Sequence, residues 1–595
     1  MSPEHALHEA SRLLRAGDAA SAERALASAW PDSNRAPGPA LSILAHVRRA
    51  QNRFDEAERL LRRAIALEPD QAMHHAALGD LLLYAGYPQN AVACFDEAVR
   101  LKPDLPGVRL NAARAMLAAG KADEAETRAR ALIADAPDWE AWDVLANILR
   151  SQDKFEDALA AADQALALRP QARRARLHRG QVLAKLGRND EALGEYEALS
   201  GAGVNAPGLH LARGVALLNL TRAEAAEQCF ADGVRRWPGD AALQSALANV
   251  RWMRGAGEGF TRDYEAAVAQ APDDIALRIG CADLARRAGF GVKAESLLRE
   301  GLARAPQSVA LLSSLGVMLD ELDRTEEGLP ALQRALAQAP HVPDIAANYV
   351  CALLRLGRGE EALREIAPAR QAQPLNQAWI CYESMALRQL GDPRYHELCD
   401  YELMVRPFDL SPPAGFRTIE DFNAALREAL VQLHVLEAHP LDQSLRNGSQ
   451  TTRSLLYVAD PAIQAYLKAL DEPIRAYMDL MRDPDHPWSG RKTGAYRLSG
   501  AWSVRLKPGG FHINHLHPEG WISSAYYVQT PESAQGQEGW IKFGEPRWPT
   551  PGCGVEKVVQ PKPGRLVLFP SYMWHGTIPF SAGERMTAPF DAVPA

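Results

Sequence analysis

The chain has 595 residues, 47% hydrophobic and 24% charged, which is ordinary for globular proteins and more than one core usually organises, so several domains or a repeat array are expected. A formal net charge of -8 gives no electrostatic reason to expect nucleic acid or an anionic membrane as partner. No run of 18 apolar residues occurs, the start lacks a basic segment followed by an apolar one, and the seven cysteines are scattered with no C-x-x-C pair, so a cytoplasmic protein is expected.

From the N-terminus, prolines recur at 69, 103, 137, 170, 238, 272, 306, 340, 374 and 407, at intervals of 33 or 34 with one double interval of 68 around Val204. Other positions keep this phase. A small residue of each first helix falls on Gly79, Gly180, Gly214 and Gly316, or on Ala45, Ala113, Ala146, Ala248 and Ala282. A second-helix alanine falls on Ala57, Ala91, Ala125, Ala158, Ala192, Ala226, Ala294 and Ala362, with a bulky residue after it at Leu61, Phe95, Tyr196, Phe230, Tyr264 and Leu298. Small residues let paired helices approach, and the bulky ones are expected to fill the gap between neighbouring units. A 34-residue period of helix pairs resembles the tetratricopeptide (TPR) repeat. About 11 helix pairs are expected, with residues 1–37 as capping helices and 38–408 as the array. TPR arrays form superhelices whose concave face holds a protein or peptide, the expected partner here.

The register fails after Pro407, and residues 409–490 read as a linker with helices supporting the next domain. Within them the polar, irregular segment 439–451 is a candidate lid. Residues 491–595 change to short alternating runs bounded by Gly and Pro, such as 501–506, 522–528, 539–543 and 565–569, which suggest a jelly roll. The fold class is therefore α + β multidomain: an all-α array followed by a barrel with flanking helices.

The chemistry-bearing residues lie on these strands. His515 and His517 are spaced i, i+2 and project to one face, where two imidazoles bind one metal, and His575, after the turn 570–572, is placed to be the third ligand. Glu519 offers a competing i, i+2 pair with His517, whereas His512 and Asn514 fall on the opposite parity. Ten residues past His575, Arg585 and Thr587 share a face, a guanidinium and a hydroxyl suited to a carboxylate. There is no G-x-x-x-x-G-K-S/T phosphate loop and no G-x-S-x-G elbow.

Residues 499–506, His515-Leu516-His517-Pro518-Glu519-Gly520-Trp521-Ile522-Ser523 and Leu568-Phe569-Pro570-Ser571-Tyr572-Met573-Trp574-His575 resemble a bacterial family of TPR proteins with a C-terminal 2-oxoglutarate/Fe(II)-dependent oxygenase domain. The larger superfamily has a double-stranded β-helix carrying H-x-D/E, a distal His and R-x-S/T, so a carboxylate usually stands where this chain has His517. The resemblance implies a dioxygenase using Fe(II), 2-oxoglutarate and O2. It implies His515, His517 and His575 as catalytic metal ligands and Arg585, Thr587 and Tyr526 around the cosubstrate, with Trp521 and Tyr527 as further pocket candidates. Two alternatives stand beside it: a TPR adaptor with an inert metal-binding barrel, and a three-histidine cupin-type dioxygenase that does not use 2-oxoglutarate.

Overall fold

The computed structural model describes residues 2–531 and 536–595. It divides into two compact units, Met1–Gly203 and Val204–Ala595. The first consists of six antiparallel helix hairpins, from Pro3–Arg15 paired with Ala19–Ala29 to Arg173–Lys185 paired with Asn189–Gly201. The second unit begins with five more, starting at Pro207–Asn219 with Ala223–Arg236 and ending at Pro343–Arg355 with Gly359–Ala372, followed by Gln377–Leu390. Eleven hairpins among the described residues match the proline period: the phased prolines from Pro69 to Pro340 fall in the turns between one hairpin and the next, Pro374 precedes the last long helix, and Pro407 lies in a strand. At the double interval the proline is displaced to Pro207, the first residue of its helix, where a missing N–H costs no hydrogen bond.

At three of the phased positions the small and bulky residues pack differently from the expectation. A Cβ on Gly79 would lie 2.9 Å from the Phe95 ring, on Gly180 2.6 Å from that of Tyr196, and Gly214 faces Phe230 in the same way. These three rings thus cover the small residue of their own hairpin, whereas Tyr264 reaches Gly280 on the first helix of the next hairpin, as expected. The reason is direction: helical side chains 16 residues apart across a short turn face each other before either reaches a neighbour.

The second half of this unit is a two-sheet β-structure. Its strands are β1 (Arg406–Asp409), β2 (Leu445–Gln450), β3 (Tyr496–Ala501), β4 (Val504–His512), β5 (Ile522–Gln529), β6 (Ile541–Phe543), β7 (Lys557–Val559), β8 (Arg565–Pro570), β9 (His575–Thr577), β10 (Arg585–Thr587) and β11 (Phe590–Pro594). The large antiparallel sheet runs β1-β8-β5-β10-β4-β2, with β11 continuing beyond β10 to pair with β5 and β3; the small one runs β7-β6-β9. Facing sheets of this kind form a jelly roll.

Two segments form strands that the sequence pattern did not indicate. Residues 406–409, at the end of the repeat register, form an edge strand on β8. The candidate lid contains β2, which pairs with β4 from Leu445↔His512 to Gln450↔Val504. The start of that segment and the residue just beyond its end are tied to repeat helices: Trp252 Nε1 donates to the His439 carbonyl at 3.0 Å, and Thr452 Oγ1 to that of Leu218 at 3.0 Å. With the backbone of 445–451 paired to β4 and to Ser503, that part of the segment is a wall of the barrel and not a lid. One hydrophobic core runs from Leu332 in the repeats through Phe422 and Tyr466 of the supporting helices to Phe590 and Ala592 in the last strand. Among the described residues no helix is long and apolar enough to cross a membrane.

Candidate functional site

The chain leaves β4 at His512, bends at Asn514 and does not join a regular strand. Reciprocal backbone hydrogen bonds between His515 and His575, at 2.8 and 3.0 Å, and one from His517 N to the Ser571 carbonyl at 2.9 Å zip residues 515–517 to 571–575. This pairing preserves the i, i+2 geometry and brings His575, the first residue of β9, beside the other two. One ring nitrogen from each of His515, His517 and His575 lies within 4.8 Å of the others.

Each imidazole is held through Nδ1. That of His515 is 2.9 Å from the Ile513 carbonyl and that of His575 is 3.0 Å from the Met573 carbonyl. His517 Nδ1 lies 2.7 Å from both oxygens of Asp591. Acceptors at Nδ1 fix the tautomer with Nε2 bearing the lone pair, the form a metal requires. Ser444 Oγ is 3.2 Å from His515 Nε2 and 2.9 Å from His512 Nδ1, so it has a second partner if the first is withdrawn. Burial, with the charge of His517 adding to it, pushes His515 down to about 3, and the same causes together with His515 hold His575 well below its usual range. Burial opposes the imidazolium of His517 too, but the Asp591 carboxylate outweighs it and the pKa rises. His512 stacks on His515 with ring centroids 5.8 Å apart and stands outside the triad. Glu519 is exposed on the turn after His517 and is not part of the cluster.

Arg585 and Thr587, on β10 between β4 and β5, are each 2% exposed and face the same cavity of about 580 Å3 as the triad. The Arg585 guanidinium lies over the Tyr527 ring, 5.1 Å from its centroid, while its Nε and Nη1 have no hydrogen-bond partner. A buried guanidinium with idle donors is costly unless a ligand uses them, and burial accordingly lowers its pKa. The donors present, three imidazoles that turn Nε2 toward one another, that of His515 also within reach of Ser444 Oγ, and an orphaned fork beside a hydroxyl, fit a transition metal and an anionic chelator with a second carboxylate.

Tyr526 does not belong to this site. Alternation along β5 turns it to the outer face, where its hydroxyl donates to Asn423 Oδ1 at 2.7 Å and its ring packs on Tyr466. Its neighbour Tyr527 is the one that faces Arg585. Trp521 is likewise directed outward, donating to the Trp488 carbonyl at 2.9 Å. Sequence reasoning missed Asp591, although extending the alternation from Arg585 and Thr587 through Pro589 reaches it. It also missed Arg446, Arg547 and, from the repeat helix Ile275–Arg287, Arg286 and Arg287, all on the cavity wall. No local signal distinguishes those arginines from surface ones.

Fold and site define a repeat protein carrying a jelly-roll domain with a histidine triad and a buried arginine in one cavity. Residues 500–591 match the family described as "Putative 2OG-Fe(II) oxygenase", and TPR families match residues 44–106, 82–148, 144–207 and 279–382. The chain thus carries several tetratricopeptide repeats and, at residues 500–591, a C-terminal domain that matches a putative 2OG-Fe(II) oxygenase family. Among solved structures it is similar to a TPR protein from Parabacteroides merdae (15% identity, 41% of this chain and 96% of that one, TM-score 0.36). It is also similar to a thermophilic TPR protein of Thermus thermophilus (23% identity, 30% and 99%, TM-score 0.28) and to human IFIT1, solved as a dimer with PPP-AAAA (14% identity, 56% and 81%, TM-score 0.37). No curated protein matches the sequence.

Proposed function

We propose that residues 491–595 form a 2-oxoglutarate- and Fe(II)-dependent dioxygenase core, supported by 409–490, and that the repeats recruit its protein or peptide substrate. The observation that carries this reading is the Arg585 guanidinium, buried with two idle donors in the cavity that also holds the triad. His515, His517 and His575 would hold the iron through Nε2, and Arg585 with Thr587 would hold the far carboxylate of the cosubstrate. The bound group supplies oxidation of a substrate C–H bond by O2, coupled to conversion of 2-oxoglutarate to succinate and CO2. The chain's own contribution is to fix three neutral imidazoles by their Nδ1 acceptors, to anchor the keto acid by a bidentate fork, and to keep the inner cavity dry behind β4, β5 and β10.

Recruitment by the repeats is supported by Arg286 and Arg287, which stand on a repeat helix and line the same cavity. With Arg446 and Arg547 they leave this wall with more cationic than anionic groups even though Asp283 and Glu321 pair with Arg286, Arg287 and Arg547, which favours an anionic segment of the substrate. A cupin-type reaction without a keto acid leaves Arg585 unexplained.

The test is purified protein with Fe(II), 2-oxoglutarate and O2, scored for succinate and, under anaerobic conditions, for metal-to-keto-acid absorbance. Turnover without the true substrate is expected to be slow, so binding is the stricter criterion. His515→Ala and His517→Ala are expected to lose iron and Glu519→Ala to retain it; iron retained in both histidine variants would sink the assignment.

A further inference from the structure

We propose that Asp591 is a positioning residue of the metal centre: standing one hydrogen bond behind His517, its carboxylate supplies the negative charge that three imidazoles lack. The proposal rests on the reading that the triad holds iron.

Three neutral histidines bring no charge to a divalent ion, and a dication in a partly dry cavity needs an anion nearby. His515 and His575 lean on backbone carbonyls, so among the described residues His517 is the one member of the triad bonded to a carboxylate. Both Asp591 oxygens stand 2.7 Å from its Nδ1. The carboxylate is in turn held: Ser523 Oγ donates to Oδ1 at 2.7 Å and is itself 2.8 Å from Ser571 Oγ. Both serines are fully buried. Ser571 also accepts the backbone N–H of His517 on its carbonyl, at 2.9 Å, so one residue registers the ring and its carboxylate on the same frame. A hydrogen-bonded carboxylate behind an imidazole raises its basicity as a ligand, and such outer partners typically account for about 10- to 100-fold in metal affinity.

Position can be separated from charge. Asp591→Asn keeps the shape and one acceptor oxygen but removes the charge. Anaerobic Fe(II) and Co(II) titrations of the full chain, by calorimetry and by the Co(II) visible spectrum, are expected to show roughly 10- to 100-fold weaker binding and shifted bands. In a His517→Asp background the sign is expected to reverse: two carboxylates then crowd one position, and adding Asp591→Asn should tighten the metal. That second comparison decides if Asp591→Asn alone does not fold. Affinity within twofold of the parent and an unchanged Co(II) spectrum in Asp591→Asn would overturn the proposal, as would a loss of equal size and sign in both backgrounds. If the parent protein binds neither ion, the oxygenase reading falls and takes this one with it; a parent that binds while Asp591→Asn is indifferent refutes this one alone.

Discussion

Replacing Arg585 by methionine, close in volume and without charge, is expected to push stability and binding in opposite directions. Two buried donors of a charged group are unsatisfied, Nε and Nη1. At about 1–3 kcal/mol each, they cost the ligand-free protein roughly 2–6 kcal/mol. The Tyr527 ring beneath the guanidinium returns about 1–2 kcal/mol. Arg585→Met should therefore stabilise the ligand-free form by roughly 0–5 kcal/mol, as replacing buried ions by apolar groups often does. The same change removes two charge-assisted hydrogen bonds to the keto acid, about 1.5–3 kcal/mol each, so affinity should fall by roughly 100- to 10,000-fold. Thermal unfolding with and without 2-oxoglutarate on anaerobic Fe(II) protein reads both. At a hundredfold excess over Kd the parent should gain about 2.7 kcal/mol from the ligand and the variant almost nothing. A variant that is less stable without ligand yet still responds to 2-oxoglutarate would show that the guanidinium is a structural cation and refute the reasoning.

Tyr526→Phe is expected to leave 2-oxoglutarate affinity unchanged and to cost about 1 kcal/mol of stability through the lost Asn423 hydrogen bond, read by denaturant titration. Gly79→Ala would put a Cβ 2.9 Å from the Phe95 ring and should cost roughly 1–3 kcal/mol, with Phe95→Leu recovering part of it; neutrality of Gly79→Ala would show that the hairpin is not closely packed there. His434, between Ser449 Oγ at 2.8 Å and Ser503 Oγ at 3.0 Å, is pushed down to about 4 by burial. At acid pH the folded state then binds fewer protons than the unfolded one, so stability is full above about pH 6.5 and is lost toward pH 4. The slope is about 1.4 kcal/mol per pH unit, roughly 3 kcal/mol over the window, and should flatten in His434→Gln when unfolding is followed between pH 7 and 4.5.

The proline period, the small-residue phase and the order H-x-H, His, R-x-T are local patterns, so the repeat class, the jelly-roll class and the triad were legible in the chain alone. The tyrosines were not. Tyr526 and Tyr527 are adjacent, and which of them faces the cavity depends on strand register, fixed by pairs such as Tyr526↔Leu566 and Thr587↔Tyr527. The segment 439–451 looked irregular because β2 is polar and contains Asn447 and Gly448; it becomes a strand by pairing with β4, sixty residues on.

What the sequence determined by itself was periodicity and the inventory of ligands, since both depend on neighbours a few residues apart. Only tertiary structure decided how they are completed: Asp591 behind His517, the idle donors of Arg585, the repeat arginines on the cavity wall. Each joins residues distant in sequence whose meeting is set by sheet order and register, and by the core that unites the last repeats with the barrel.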